Sequence, residues 1–221
     1  MRLNKIIAKH QNCTRKEADN LIKNGLVTVN GNLTTKMGVI VKKDDEIIFK
    51  KQKINYDLKY YILLNKPKQY SCFNKNLHTK KLLPKIHINE LNNYEKLDFN
   101  EIGLTIFSND DNLLKKIKNS SRIKKIYHIK LSEQISEEAL RAIKNHTQVS
   151  INKISFVKEN NEIGIELTKG NIKLLKNIFH KMSIKIIFID TVSIGVLSKK
   201  NLPRKQNRFL TEKEITILNR S

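Results

Sequence analysis

Glu95-Lys96-Leu97-Asp98-Phe99-Asn100-Glu101-Ile102-Gly103-Leu104-Thr105-Ile106-Phe107-Ser108-Asn109-Asp110-Asp111-Asn112-Leu113-Leu114-Lys115-Lys116-Ile117-Lys118 is the stretch that decides the fold. Its apolar run over residues 102–108 reads as a strand. Asn109-Asp110-Asp111 is a helix-start signal, because short polar side chains accept hydrogen bonds from the free amides of a first turn. A short helix over 112–118 follows. A carboxylate, Asp98, stands just before the strand in a chain whose formal net charge is +22. So basic a chain favours a polyanionic partner, and a carboxylate repels one. Asp98 is therefore either a turn residue or part of a chemical site.

Outward from this stretch, strands and helices alternate. Tyr60 to Leu64 begins a strand that Asn65-Lys66-Pro67 ends. A strand is expected at 126–131 and a helix at 137–145 after the Ser136 cap. Strands at 153–158 and 162–168 form a hairpin through Glu159-Asn160-Asn161. A helix over 171–182 precedes a β-rich run at 184–197, broken at Gly195. Thr211 to Glu214 is a capping box for a last helix over 212–219. Hairpins mixed with crossovers predict an α+β fold with a mixed, mainly antiparallel sheet.

The first fifty residues read as a separate αα-β unit. A helix is expected at 3–10. Thr14-Arg15-Lys16-Glu17 caps a second helix, which Gly25 ends. Val27 and Val29 alternate as a strand into the hairpin signal Asn30-Gly31. A closing strand at 46–49 follows, and residues 50–59, polar, basic and aperiodic, read as a linker. The domain expectation is 1–48, a linker at 49–58, and a second domain at 59–221.

Lys and Arg outnumber Asp and Glu 43 to 21, the footprint of a nucleic-acid binder. No apolar stretch approaches the roughly 20 residues that span a bilayer, and the N-terminus is too polar for a signal peptide. Cys13 and Cys72 stand far apart with no CxxC partner, so they read as free thiols of a reducing cytosol and not as metal ligands. Lysines also abound along the whole chain, so only clustered ones are informative. Arg2, Lys5, Arg15, Lys16 and Lys23 share the two N-terminal helices and suit phosphate contacts.

That N-terminal unit, with its Arg-Lys-Glu-Ala-Asp and Gly-Leu-Val-Thr-Val-Asn-Gly stretches, resembles the αL RNA-binding domain of the ribosomal small-subunit protein four superfamily. The resemblance covers residues 1–48 and implies binding to structured RNA by shape and phosphates. Leu63-Leu64-Asn65-Lys66-Pro67, Lys96-Leu97-Asp98, Gly103-Leu104, Lys125-Ile126-Tyr127, Gly170 to Phe179 and Lys199 to Glu214 resemble the pseudouridine synthase family. The match is to its branch with an N-terminal αL module, and within it to the subgroup acting on large-subunit rRNA.

The resemblance implies that Asp98 is the catalytic carboxylate, Lys176 its ion-pair partner, Leu175 the apolar residue beneath the base and Tyr127 an aromatic stacked on the target uracil. Lys66, Lys96 and Lys173 join the N-terminal cations as implied RNA contacts. Isomerising uridine is redox-neutral and adds nothing, so no cofactor or metal is expected. The implied partner is ribosomal RNA, free or in a pre-ribosomal particle, met by a cytoplasmic monomer with no membrane partner.

The chain departs from the family at several arginine positions. Lys96 stands where Arg is usual and Thr191 where Arg is common, Leu174 replaces Gln, Asn177 replaces a basic residue, and Asp110 lacks a following Gly. The alternative reading is a non-catalytic RNA-binding ribosome-assembly factor derived from such an enzyme.

Overall fold

The computed structural model describes residues 1–42, 44–56, 59–84 and 91–221. The chain divides into two units, Met1–Lys59 and Tyr60–Ser221. In the first, α1 (Leu3–Gln11) and α2 (Arg15–Lys23) precede four strands: β1 (Val27–Val29), β2 (Asn32–Leu33), β3 (Ile47–Phe49) and β4 (Gln52–Lys53). The strands form an antiparallel sheet in the order β2-β1-β3-β4. The Thr14–Glu17 capping box forms at the start of α2, with the Glu17 amide donating to Thr14 Oγ1 at 3.2 Å and the Thr14 amide to Glu17 Oε2 at 2.7 Å. Asn30 and Gly31 both take positive φ, as the hairpin signal requires. Leu3, Ile7, Ala18, Ile22, Val27, Ile47 and Phe49 are buried together.

The expected linker at 49–58 is not a linker over its first half. Phe49 ends β3, Gln52–Lys53 pairs back on Ile48 and Phe49, and Ile54 is buried in the core of this unit. The turn between them puts Lys50 and Lys51 at φ +46° and +66°. Two lysines in the left-handed region carry no turn signal in sequence, which is why this hairpin reads as an aperiodic basic run. Residues 57 and 58 of the expected linker lie outside the described residues.

The second unit runs β5 (Tyr61–Lys66), a 3₁₀ turn (Thr79–Leu82), β6 (Asn92–Asn93), β7 (Glu101–Ser108), α3 (Asp111–Asn119), β8 (Lys125–Leu131), α4 (Glu137–Lys144), β9 (Ser150–Phe156), β10 (Glu162–Lys169), α5 (Ile172–Lys181), β11 (Ile186–Ile194), β12 (Leu197–Ser198), β13 (Asn207–Phe209) and α6 (Glu212–Arg220). The main path of its sheet is β13-β5-β7-β11-β8-β10-β9, with β6 on β7 and β12 on β11. Among the described strands only β7 and β11 pair in parallel. The mixed, mainly antiparallel α+β architecture expected from sequence is the one observed.

β7 is buried at every position. Leu104 and Ile106 enter one core cluster with α3 and α6, while Phe107 enters another with Ile62 and Leu64. A strand covered on both faces reads as a continuous apolar run, which is what residues 102–108 show. Gly103 sits at φ +94° beside β11, where a Cβ would meet the Asp190 carboxylate and the Thr191 amide and carbonyl. The close approach of β7 to β11 thus requires glycine, and it sets Asp98 and Glu101 at the entry to the central strand.

Candidate active site

Asp98 lies in the turn that leads into β7, and that turn is fastened from below. The Lys66 side chain is wholly buried, and its ammonium donates to the carbonyls of Asp98 at 2.6 Å, Glu101 at 2.7 Å and Pro67 at 3.3 Å. Burial lowers the Lys66 pKa from its usual value to about 8, against the neighbouring thiol and carboxylates, which favour the cation. Lys66 is therefore a structural clamp and not the RNA contact expected from sequence. Its strand, β5, is covered on both sides, so the side chain has no route to solvent.

Asp98 Oδ1 accepts two hydrogen bonds, from Ser71 Oγ at 2.9 Å and from the Phe99 amide at 2.8 Å. Oδ2 has no hydrogen-bond partner among the described residues. Asp98 lines two cavities at once, of about 560 Å³ and about 500 Å³. Glu101 and Lys176 line both as well. The arrangement holds one carboxylate oxygen in place and leaves the other without a competing donor.

The Lys176 ammonium, half-exposed on α5, sits 2.5 Å from Glu101 Oε1, so its ion pair is with Glu101 rather than with Asp98 as expected. Glu101 in turn accepts the Asp98 amide at 2.9 Å through Oε2. Glu101 is 7% exposed, and a buried carboxylate draws the nearest flexible cation to itself. Three residues past Asp98, it carries no sequence mark that separates it from a strand-entry polar residue.

Tyr127 and Leu175 also differ from expectation. Both are completely buried, share one core cluster with Leu97, and line neither cavity. Tyr127 faces inward because β8 alternates buried and open positions from Lys125 onward. The cavity wall is formed by Tyr94 and Glu95 instead. Among the described residues the hydroxyls of Tyr94 and Tyr127 have no hydrogen-bond partner of ordinary geometry, although each is close enough to influence the other's ionisation. Burial pushes both phenols well above their usual pKa.

Glu95 accepts the Ile172 amide, at the first turn of α5, at 2.6 Å. Burial raises its pKa to about 7, against that hydrogen bond and the charge of Lys125. Lys125 is itself buried and lies 5.6 Å from the Tyr94 ring centroid. Lys96 and Lys173 are exposed and line the first cavity, so they are placed to meet an anion. On the first unit Arg2, Arg15, Lys16 and Lys23 are exposed and Lys5 is half-buried.

Behind the site, Asp190 on β11 accepts Arg204 Nη2 at 2.8 Å and Lys199 Nζ at 2.5 Å. Burial alone would raise the Asp190 pKa, but these hydrogen bonds and charges outweigh it and lower it. Arg204 also donates to Asn65 Oδ1 at 2.9 Å and the Lys66 carbonyl at 3.4 Å, which ties the 199–204 segment to the strand end carrying the clamp. Ser71, Glu95, Glu101 and Arg204 were not singled out from sequence, because their roles rest on partners far along the chain.

Residues 1–47 match the S4 domain family. Over its whole length the chain is 25% identical to an RNA pseudouridine synthase of Aquifex aeolicus, covering 97% of that protein. The chain is similar over nearly its full length to ribosomal RNA pseudouridine synthases. It is likewise 25% identical to the ribosomal small subunit pseudouridine synthase A of Vibrio vulnificus, over 97% of this chain and 98% of that one. The ribosomal large subunit pseudouridine synthase B of Bacillus subtilis is also 25% identical, with 97% and 93% covered. A crystal structure of pseudouridylate synthase shares the fold at a TM-score of 0.62 and 22% identity, covering 99% of each chain.

Proposed function

We propose that this chain isomerises uridine to pseudouridine in ribosomal RNA, with Asp98 as the catalytic carboxylate. The reaction breaks the C1′–N1 bond, forms a C1′–C5 bond, and moves one proton from C5 to N1. Nothing is oxidised. An ionised carboxylate serves by attacking the uracil ring, by attacking the anomeric carbon, or by taking a proton from the sugar.

The observation that carries the reading is the state of Asp98: one oxygen anchored by Ser71 and the Phe99 amide, the other unpartnered among the described residues, between two cavities. Lys176 and Glu101 supply a charge-neutral pair beside it. Tyr127 and Leu175 act as packing behind Leu97, the residue before Asp98. The target uridine must leave its stack to reach Asp98, at a cost of roughly a few kcal/mol. Phosphate contacts by the S4 domain and by Lys96 and Lys173 offset this cost.

The finer reading is large-subunit rRNA, free or in a pre-ribosomal particle, modified by a cytoplasmic monomer. The relatives at 25% identity act by name on either subunit, so the choice rests on the motif resemblance. Mapping carbodiimide-reactive uridines in cells with and without this gene tests it. One large-subunit uridine losing its mark supports the reading, and an unchanged map sinks it.

A second reading, an RNA-binding ribosome-assembly factor without turnover, is favoured by Lys176 pairing with Glu101 and by the complete burial of Tyr127. Under it, purified protein binds rRNA and leaves its uridines unchanged.

A further inference from the structure

Among the described residues three phenylalanines are markedly exposed, Phe73, Phe99 and Phe209, and the first two flank Asp98. Phe73 is 65% exposed and lines the first cavity, while Phe99 is 40% exposed and lines the second. Both are hung from the same carboxylate oxygen. The Phe99 amide donates to Asp98 Oδ1 at 2.8 Å. The Phe73 amide donates at 3.0 Å to Ser71 Oγ, which donates to Oδ1 at 2.9 Å.

Neither ring has an aromatic or cation–π partner among the described residues. An apolar ring left in water next to a reactive carboxylate needs a reason. The surrounding walls carry Lys96 and Lys173 on one side and Lys185 on the other, which suits a phosphate backbone running past both rings. Unstacked bases bind to exposed aromatic faces whatever their sequence, and cations alongside hold the backbone.

We propose that Phe73 and Phe99 are stacking platforms for the nucleotides on either side of the reacting uridine, one ring in each cavity. Pulling a uridine out of its stack bares the faces of its two neighbours. Rings fixed relative to Asp98 through its own Oδ1 replace that lost stacking and set the register of the strand against the carboxylate. This rests on the isomerase reading for the identity of the central base, and it adds the residues that hold its neighbours.

The test uses the full chain and a short single-stranded RNA with a central uridine, read by fluorescence anisotropy. Phe73→Ala and Phe99→Ala are each expected to raise Kd roughly five-fold or more. Phe→Trp at either position is expected to keep wild-type affinity. Removing one neighbouring base costs wild type a similar factor and costs one of the two Ala variants almost nothing. Removing the other base reverses the pattern. The salt slope stays unchanged, because no phosphate contact is lost.

Wild-type affinity in both Ala variants, or equal losses on intact and abasic RNA, overturns the proposal. Circular-dichroism melts matching wild type exclude misfolding, as expected for exposed side chains. Pseudouridine formation by the wild type on unmodified rRNA is measured alongside. Its failure sinks the isomerase reading, while the abasic comparison decides the stacking proposal independently.

Discussion

Replacing Lys66 by Met separates a clamp from an RNA contact. Methionine nearly matches the lysine stem in length but donates nothing. Two short hydrogen bonds, at 2.6 and 2.7 Å to the Asp98 and Glu101 carbonyls, disappear from a site with no exposed lysine surface. Asp98 O keeps a second donor, the Glu101 amide at 3.1 Å, so its carbonyl is not stranded completely. Stranding buried acceptors costs about 1–3 kcal/mol each. Against this, the variant no longer desolvates an ammonium, a burden visible in the Lys66 pKa of about 8. The balance is a loss of roughly 2–3 kcal/mol. For a unit of this size that lowers Tm by about 4–12 °C.

Thermal and urea unfolding by circular dichroism measure this. Because the Asp98 turn loosens, pseudouridine formation falls as well. The slope of log Kd for rRNA against log salt is expected to match wild type. A lost phosphate contact would instead reduce that slope by about 1. An unchanged Tm together with a shallower salt slope would refute the clamp and restore Lys66 as an RNA ligand.

Further outcomes follow from other parts of the structure. Glu214 caps α6 and meets Arg208 at 2.7 and 2.9 Å, and its pKa is lowered to about 2, chiefly by Arg208. This stabilisation is present above pH 4.5 and is lost as the pH falls toward 2. Glu214→Gln should therefore flatten acid unfolding in that window by roughly 1–2 kcal/mol after allowance for solvent screening, read from urea midpoints, and an equally steep profile counts against it. Glu95 has its pKa raised to about 7, so its contribution is complete below pH 4.5 and vanishes as the pH rises through 7. Between pH 5 and 7.5 wild type should lose more stability than Glu95→Gln, and parallel profiles contradict the assignment. Gly103→Ala forces a Cβ against Asp190 and Thr191 at a positive φ, so a loss of more than about 3 kcal/mol or insoluble expression is expected, and a wild-type Tm would show that β7 and β11 can separate.

Much of the fold was legible because its signals are local. The Thr14–Glu17 and Thr211–Glu214 boxes, the Ser136 cap and the Asn30-Gly31 turn each act within four residues, and each forms. The Lys50–Lys51 hairpin escaped because its turn uses residues with no turn preference. β13 escaped because its meaning lies in pairing with β5, more than 130 residues away.

The site divides in the same way. Asp98 stands out by charge against a basic chain and by its place before β7. The partner of Lys176 did not, since Glu101 outcompetes Asp98 through burial that no spacing rule records. Tyr127 is placed by strand alternation, but what covers it is a core cluster that includes Leu97 and Leu175, residues far apart along the chain. Lys66 looks like any other lysine until both faces of β5 are filled.

Catalysis is assigned to the Asp98 carboxylate. Asp98→Asn tests it with little structural disturbance, since an amide oxygen can still accept from Ser71 and the Phe99 amide at the Oδ1 position. Wild type and variant are incubated with unmodified rRNA, and pseudouridine is read by carbodiimide primer extension beside Kd for the same RNA. Pseudouridine is expected with the wild type, none with Asp98→Asn, and equal Kd for both. Pseudouridine formed by Asp98→Asn at the wild-type rate, or none formed by either protein, would contradict that assignment.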